Sequence, residues 1–249
     1  MTKSLYLKCE RGDIGEFVLL TGDPARVDRI AARLTLARTM AHNREFYTVT
    51  GEYRGRRVSV VSSGIGAPSA AIALEELHQL GARAVVRLGT IMGVGAPLGA
   101  FTLSTGAARF EGTSPAYLPL TYPAVPNWPL AVAIYTASQR AGLDMRAGIT
   151  VTYDAFYPQM APALVGRGLP DMAQLREADV QGLDMETALL YILGMRLKLA
   201  VAAACVVTNN ADPFAVMDAA EQHQAENRLV DVVLEALLEW KEKHGNAAD

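Results

Sequence analysis

The sequence predicts a three-layer α/β/α fold built around a central mixed β-sheet. Short apolar runs of strand length alternate with amphipathic helical patterns along the 249 residues. Such alternation is typical of a largely buried sheet that is covered by helices on both faces. No repeat, low-complexity segment or linker interrupts the pattern, so residues 1–249 are expected to form a single domain.

The first third of the chain predicts three strands and two helices. The run FVLLT at 17–21 predicts a strand that leads directly into a helix over 24–34. Residues 45–66 indicate two further strands around a glycine-containing turn at 53–56. Helical spacing of apolar residues predicts the second helix over 67–82, with Gly81 as its stop signal.

The rest of the chain continues the alternation and ends in a long amphipathic pattern. Predicted strands are RAVVRLGT (83–90), GAFTLSTGAARF (99–110), GITVTYDAFY (148–157) and LAVAAACVVTN (199–209). Predicted helices are LAVAIYTASQRAG (130–142), METALLYILGMRLK (185–198) and the run 217–244, whose inward face carries Val230, Val233, Leu234 and Leu237.

Composition excludes several classes of function. The net charge is −3, which gives no electrostatic footprint for a nucleic-acid partner. The apolar runs are too short or too charged to span a membrane, and the N-terminus lacks the apolar region of a signal peptide. The two cysteines, Cys9 and Cys205, do not form a metal motif or a disulfide framework. A cytoplasmic protein is therefore expected.

Polar residues and glycines cluster where four predicted strands end. Those strand ends carry Gly22, Gly64 with Gly66, Gly89 with Thr90, and Thr208 with Asn209. Ligands of α/β proteins bind at the carboxyl ends of the strands, so these residues are expected to line one site.

An anion is the expected ligand at the first of these ends. Asp23 is a good N-cap and Pro24 suits the first helical turn, so Gly22 and Arg26 lie at a helix start, which favours negative charge. An ordinary capped helix with a solvated arginine explains the same residues. Arg87 favours the anion, because it stands inside an apolar strand beside Gly89 and Thr90 and is expected to need a partner there. A buried carboxylate would also satisfy Arg87.

A carboxylate, opposite in charge to these arginines, follows in the segment LDMETALLY. Glu186 is predicted in the first turn of an apolar helix, where a glutamate also stabilises the helix dipole. Its functional interpretation is a carboxylate that accepts paired hydroxyl groups of a sugar, with Met185 as an apolar surface under the ring.

Five motifs in order resemble one family, the nucleoside phosphorylases of the uridine phosphorylase and hexameric purine nucleoside phosphorylase group. They are GDPAR (22–26), residues 43–77, RLGT (87–90), TYDAFYP (152–158) and DMETA (184–188). The resemblance covers nearly the whole chain and implies a pentosyltransferase. Its reaction converts nucleoside and phosphate to free base and pentose 1-phosphate, with phosphate as co-substrate and no resident cofactor.

The resemblance also implies roles for individual residues. Arg26, Arg87 and Glu186 would form the catalytic set. Phosphate would be bound by Gly22, Arg26, Arg44, Arg87 and Thr90, and ribose by Tyr6, Met185 and Glu186. The base would be contacted by Met92, Phe156, Gln159, Met160 and Asn209. Arg44 and Tyr6 would reach a neighbouring subunit, so a homo-oligomer is expected, of the hexameric trimer-of-dimers type. Glu45, Ile65 and Ser69 match positions that hold a monovalent cation such as K⁺ between subunits in some uridine phosphorylases.

The chain departs from the family pattern where the base is recognised. Purine enzymes of the group carry an aspartate at the position of Asn209, and asparagine cannot act as a general acid. Uridine phosphorylases also carry asparagine there, which favours a pyrimidine-like site or one that stabilises the leaving base by hydrogen bonds alone. Met160 and Pro162 stand where uridine phosphorylases read uracil with glutamine and arginine, and Gln159 lies one residue early. Ile91 and Met92 make the adjoining wall more apolar. Uridine is therefore expected to be either a poor substrate or not the substrate.

Two alternatives remain on the sequence alone. A nucleosidase of the same fold would use water, but water needs no set of three arginines. A non-catalytic nucleoside- or phosphate-binding protein would keep the arginines and tolerate change in the base pocket.

Overall fold

The computed structural model describes residues 3–159, 171–211 and 214–244. Within them lie ten strands, which form one mixed sheet, and six α-helices. The strands are β1 (Phe17–Thr21), β2 (Thr35–Asn43), β3 (Phe46–Tyr53), β4 (Arg56–Ser62), β5 (Ala84–Gly93), β6 (Phe101–Phe110), β7 (Met145–Tyr153), β8 (Gly182–Asp184), β9 (Ala200–Ala211) and β10 (Phe214–Val216). The helices are α1 (Pro24–Ala31), α2 (Ala67–Gln79), α3 (Trp128–Arg140), α4 (Met172–Glu177), α5 (Thr187–Leu197) and α6 (Ala219–His244).

The order of strands across the sheet is β10-β9-β6-β7-β8-β5-β1-β4-β3-β2. A further pairing of β5 with β9 links β5, β9, β6, β7 and β8 into a closed ring of five strands. The pairs β1/β4, β1/β5 and β5/β9 are parallel, so these four strands end at the same edge of the sheet.

The core is divided between the two faces of the sheet. Alternate residues of one strand face opposite sides, as the pleat requires. Leu19 packs in the layer that contains α1, α3 and α6. Its neighbours Val18 and Leu20 pack in the layer that contains α2 and α5. The predicted three-layer α/β/α fold with a mixed sheet is therefore confirmed.

Most predicted elements are present, with shifted boundaries. Helix α1 ends at Ala31 rather than at residue 34, and β5 continues to Gly93. The predicted inward residues of α6 are all buried. Helix α5 is buried all round along 187–194. It therefore lacks the single apolar face expected to include Met185.

Three strands and one helix were not predicted. Strand β2 is an exposed edge strand without regular alternation of apolar and polar residues. Strands β8 and β10 have three residues each, and α4 has six. Elements this short carry too little periodicity to be recognised.

In the part of the chain that the structure describes, no helix combines the length and apolar character needed to cross a lipid bilayer.

Candidate functional site

A cleft of about 950 Å³ opens at the carboxyl edge shared by β1, β4, β5 and β9. The expectation that the polar strand ends would meet is confirmed for Gly22, Gly64, Thr90 and Asn209. The lining residues are Gly22, Asp23, Pro24, Arg26, Gly64, Ile65, Arg87, Thr90, Ile91, Met92, Phe156, Tyr157, Leu183, Asp184, Met185, Glu186 and Asn209.

One end of the cleft is formed by the start of α1. The Asp23 carboxylate accepts a hydrogen bond from the Ala25 N–H at 2.9 Å, as expected for an N-cap. A Cβ atom on Gly22 would lie 3.2 Å from the Gly64 carbonyl oxygen, so these two strand ends approach closely. This end of the cleft offers the positive end of a helix together with Arg26.

The Arg26 side chain is buried and held by protein groups. One Nη2–H donates to the Glu226 carboxylate, with the two atoms 2.9 Å apart. Nη1–H donates to the Thr21 hydroxyl at 3.1 Å. Desolvation lowers the pKa of Arg26, an effect that Glu226 opposes. The alternative interpretation, an ordinary capped helix in which Arg26 is solvated, is therefore excluded.

Arg87 is the second buried arginine of the cleft. Its Nε–H donates to Asp184 Oδ2 at 3.1 Å, and Nη2–H donates to the Glu186 carboxylate. Burial alone would lower the pKa of Arg87, but the carboxylates of Glu186 and Asp184 raise it above its ordinary value. The buried-carboxylate partner that the sequence left open is thus present, in a cleft that Arg87 also lines.

Gly89 leaves open the space that the Arg87 guanidinium occupies. The two residues stand two apart in β5, so both face the same side of the sheet. A Cβ atom on Gly89 would lie 1.7 Å from Arg87 Nη1. The guanidinium therefore lies directly over the glycine, which no other residue could replace without moving it.

Glu186 lies immediately before α5, as its N-cap residue, and not in the first helical turn as predicted. The Gly66 N–H donates to Glu186 Oε1 at 2.7 Å, and Arg87 binds the other carboxylate oxygen. Burial raises the pKa of Glu186, and the Arg87 guanidinium opposes this shift. Met185 is half-buried and lines the cleft beside it.

The opposite end of the cleft is largely apolar. Ile91 and Met92 come from β5, and Phe156 and Tyr157 stack edge to face with ring centroids 5.5 Å apart. Asn209 is the polar group at this end of the cleft, and its buried Nδ2 has no hydrogen-bond partner within residues 3–159, 171–211 and 214–244.

Two residues predicted for the site lie outside the cleft of their own chain. Arg44 is exposed in the turn between β2 and β3. Tyr6 packs against Phe46, with ring centroids 5.9 Å apart, and the Tyr6 N–H donates to Glu76. Both were expected to act on a neighbouring subunit, which a single chain does not test.

The predicted cation ligands are close together around Gly64. Ser69 donates a hydrogen bond to the Glu45 carboxylate at 3.2 Å, and the exposed Ile65 follows Gly64. The carboxylate of Glu45, the hydroxyl of Ser69 and the backbone carbonyl of Ile65 are oxygen ligands of the kind that hard cations prefer. They supply too few ligands on one chain to enclose an ion, so the fit requires oxygen atoms from a second subunit.

Several predicted base contacts cannot be placed. Met160 lies outside the described residues, as does Pro162, and only the backbone of Gln159 is described, in a short 3₁₀ turn. The sequence also places Asp212 and Phe214 just past Asn210, where a flap over the base is expected. Asp212 lies outside the described residues, and Phe214 belongs to β10 and is 65% exposed.

Two important carboxylates were not predicted as part of the site. Asp184 lines the cleft and binds Arg87; its place two residues before Glu186 was the available signal. Glu226 binds Arg26 from α6, at a separation of 200 residues along the chain. No local pattern could have revealed this partner.

Comparisons with known proteins agree with the geometry. The family model described as "Phosphorylase superfamily" matches residues 16–239. A uridine phosphorylase of Thermococcus kodakarensis is 36% identical over 97% of this chain and 89% of its own length. A guanosine phosphorylase of Halorubrum lacusprofundi is 35% identical over 84% of this chain and 85% of its own. The crystal structure of a Vibrio fischeri uridine phosphorylase superposes with a TM-score of 0.85 at 28% identity, covering 96% of this chain and 98% of that one.

Proposed function

Because this chain belongs to the phosphorylase superfamily and is a uridine phosphorylase-like pentosyltransferase, we propose that it cleaves nucleosides with inorganic phosphate. The products are a free base and ribose or deoxyribose 1-phosphate. One observation carries the proposal: two buried arginines, Arg26 and Arg87, share a cleft with the carboxylate of Glu186. This reaction needs an anion site beside a sugar site, since the phosphate attacks the sugar carbon that bears the base.

The residue types suit the chemistry of that attack. Breaking an N-glycosidic bond leaves an oxocarbenium-like sugar, as in glycoside hydrolysis. Arg26 and Arg87 hold the phosphate dianion, which stabilises that positive charge and forms the new C–O bond. Gly22 and Thr90 contribute a close backbone approach and a hydroxyl at the same end of the cleft. Glu186 accepts the 2′- and 3′-hydroxyls, and Met185 packs under the ring.

The leaving base departs with the electron pair of the broken bond. Asn209 cannot donate a proton as an acid would, but its Nδ2, which has no partner among the residues that the structure describes, can donate a hydrogen bond to that negative charge. Phe156 supplies an apolar face for the ring. Leaving-group stabilisation in this proposal is therefore by hydrogen bonding.

The base pocket is proposed to differ from that of uridine phosphorylases. Ile91 and Met92 are both almost fully buried and make the wall apolar, and Met160 and Pro162 replace the residues that read uracil. A site without hydrogen-bonding groups for a substrate edge discriminates weakly among bases. Uridine is accordingly proposed to be a poor substrate. The uridine and guanosine phosphorylase relatives are nearly equally similar, at 36% and 35% identity, so similarity alone favours neither base.

A homo-oligomer completes the proposal. Arg44 and Tyr6 lie outside their own cleft and are assigned to the phosphate and ribose of a neighbouring subunit. A hexamer built as a trimer of dimers provides such neighbours, and K⁺ between subunits would be bound by Glu45, Ile65 and Ser69.

A cleavage assay with and without phosphate tests the function. Uridine, thymidine, cytidine, inosine, adenosine, guanosine and methylthioadenosine are each incubated with the enzyme, and free base is measured. We expect cleavage that requires phosphate, with uridine cleaved less efficiently than the preferred substrate. Cleavage without phosphate would instead indicate a nucleosidase, and no cleavage of any nucleoside would favour a binding protein. Efficient phosphorolysis of uridine would refute only the proposal that the base pocket is altered, and the proposed phosphorylase function would stand.

A further inference from the structure

We infer that Glu226 is a positioning residue of the phosphate site, which fixes the Arg26 guanidinium in the orientation that binds phosphate. The inference rests on the proposed function, because it assigns Arg26 to phosphate. Glu226 itself does not line the cleft; together with Arg26 it lines a separate small cavity beside Ile30 and Leu229.

The contact between the two residues is buried and close. Glu226 Oε1 lies 2.9 Å from Arg26 Nη2, and the two side chains are only 7% and 10% exposed. The same carboxylate accepts hydrogen bonds from Arg29 at 3.1 Å and from Gln222 at 2.7 Å. Two donors other than Arg26 thus hold Glu226, so the position of the carboxylate does not depend on Arg26 alone.

Glu226 completes a set of contacts that holds both terminal nitrogens of the Arg26 guanidinium. Nη1 has the Thr21 hydroxyl and Nη2 has Glu226. Nε–H is buried and has no partner in the described part of the chain. The guanidinium is planar, so fixing both terminal nitrogens also fixes the direction of Nε–H.

Arg26 needs this support because its charge is unfavourable where it lies. Burial lowers its pKa, and the nearby Arg87 guanidinium lowers it further. Glu226 is the carboxylate that opposes both effects by direct contact. A buried ion that loses its partner is destabilised and is no longer held in one orientation, so Arg26 is expected to lose the position in which it binds phosphate.

The negative charge of Glu226 also repels a phosphate dianion. This repulsion weakens phosphate binding, whereas the support that Glu226 gives to Arg26 strengthens it. Arg29 decides the balance, because it binds the other carboxylate oxygen. The cluster of Arg26, Arg29 and Glu226 carries one net positive charge, so little repulsion remains. The loss of orientation is therefore expected to exceed the gain from removing the carboxylate charge.

Binding of inorganic phosphate to the full-length protein tests the inference without need of turnover. Glu226→Gln keeps the size of the side chain and removes its charge. Asp231→Asn is the matched control, since it removes an ion pair with Arg33 from the same helix at the surface. By calorimetry we expect the phosphate Kd to rise about tenfold or more for E226Q, as for other outer partners of ligand-binding residues, and to stay unchanged for D231N.

Steady-state kinetics separates positioning from general damage. For E226Q, the KM for phosphate should rise while the nucleoside KM and the kcat at saturating phosphate stay within about twofold of wild type. If E226Q does not fold, Glu226→Asp withdraws the carboxylate by one methylene and keeps the charge, and the same rise in phosphate Kd is expected.

An unchanged or lower phosphate Kd in the folded Glu226 variant would overturn the inference. An equal loss in E226Q and D231N, or an equal rise in both KM values, would also overturn it. Failure of the wild-type protein to bind phosphate would overturn the proposed function, and with it this inference. That result is distinct, because it appears before any variant is compared.

Discussion

Replacing Gly89 by alanine is the most direct test of how Asp184 and Glu186 hold the Arg87 guanidinium. The added methyl carbon would lie 1.7 Å from Arg87 Nη1 and 2.6 Å from Arg87 Cζ. Ordinarily the end of an arginine side chain moves aside at little cost. Here it is bound to Asp184 and Glu186 in a side chain that is 8% exposed. Moving the guanidinium therefore breaks a buried ion pair.

The expected magnitude follows from that pair. Separating one partner of a buried ion pair costs about 3–5 kcal/mol, of which we take about 3 because the side chain is displaced and not removed. In a chain of this size each kcal/mol lowers Tm by about 2–4 °C, so G89A should melt about 6–12 °C below wild type. Since Arg87 leaves its position, phosphorolysis should fall by at least about 100-fold in kcat/KM for phosphate.

Two measurements and one control decide the outcome. Thermal unfolding gives the stability, and phosphate-dependent release of free base gives the activity. Gly112→Ala is the control, because a Cβ there would lie 3.6 Å from Asp154, an ordinary contact, and its φ requires no glycine. Wild-type Tm and activity in G89A would show that Arg87 can leave both carboxylates freely, and the reasoning would be wrong.

Four other predictions concern the remaining parts of the site. Glu186→Gln should raise the nucleoside KM by about tenfold or more through loss of charged hydrogen bonds to the ribose, and steady-state kinetics checks it. Because burial raises the pKa of Glu186, the carboxylate should take up its proton at a higher pH than a solvated glutamate does, so the nucleoside KM should already rise, as pH is lowered, above the range in which solvated glutamates titrate, which a pH series measures. Asn209→Ala should lower kcat by about 100-fold if its Nδ2 stabilises the leaving base; unchanged kcat under single-turnover conditions would exclude that role. Mixing inactive Arg26→Ala and Arg44→Ala subunits should restore part of the activity if Arg44 serves a neighbour, whereas a monomer by light scattering would rule the sharing out.

The sequence predicted the position of the site better than its internal contacts. Strand ends are local signals, because a glycine or polar residue after an apolar run marks the end of the run itself. Parallel pairing then brings Gly22, Thr90 and Asn209 to one edge. Arg87 was recognised because a charged residue inside an apolar strand needs a partner. The identity of the partner depends on how β5 and β8 pair, which no local pattern reveals.

The same reasoning explains what was missed. Gly89 was expected to line the site as part of a strand end, whereas in the structure it accommodates the side chain two residues earlier. Glu226 belongs to a helix whose amphipathic pattern predicts burial of its apolar residues and solvation of its charged ones. Its burial follows from the meeting of α1 and α6, a tertiary contact. Strand β8 was missed because its three residues contribute Asp184 without any periodicity.

Some residues of the cleft belong to the closed ring of strands described above, and others come from a segment outside it. Arg87, Asp184 and Asn209 belong to β5, β8 and β9, and each of these strands is paired on both sides within the described chain. Phe156 and Tyr157 come just after β7, where the chain has left the ring. Insertions or exchanges in that segment would reshape the base end of the cleft without unpairing a strand. If the proposed base contacts hold, an engineer seeking a different nucleoside substrate should therefore begin with this segment, before changing Ile91, Met92 or Asn209 in the paired strands.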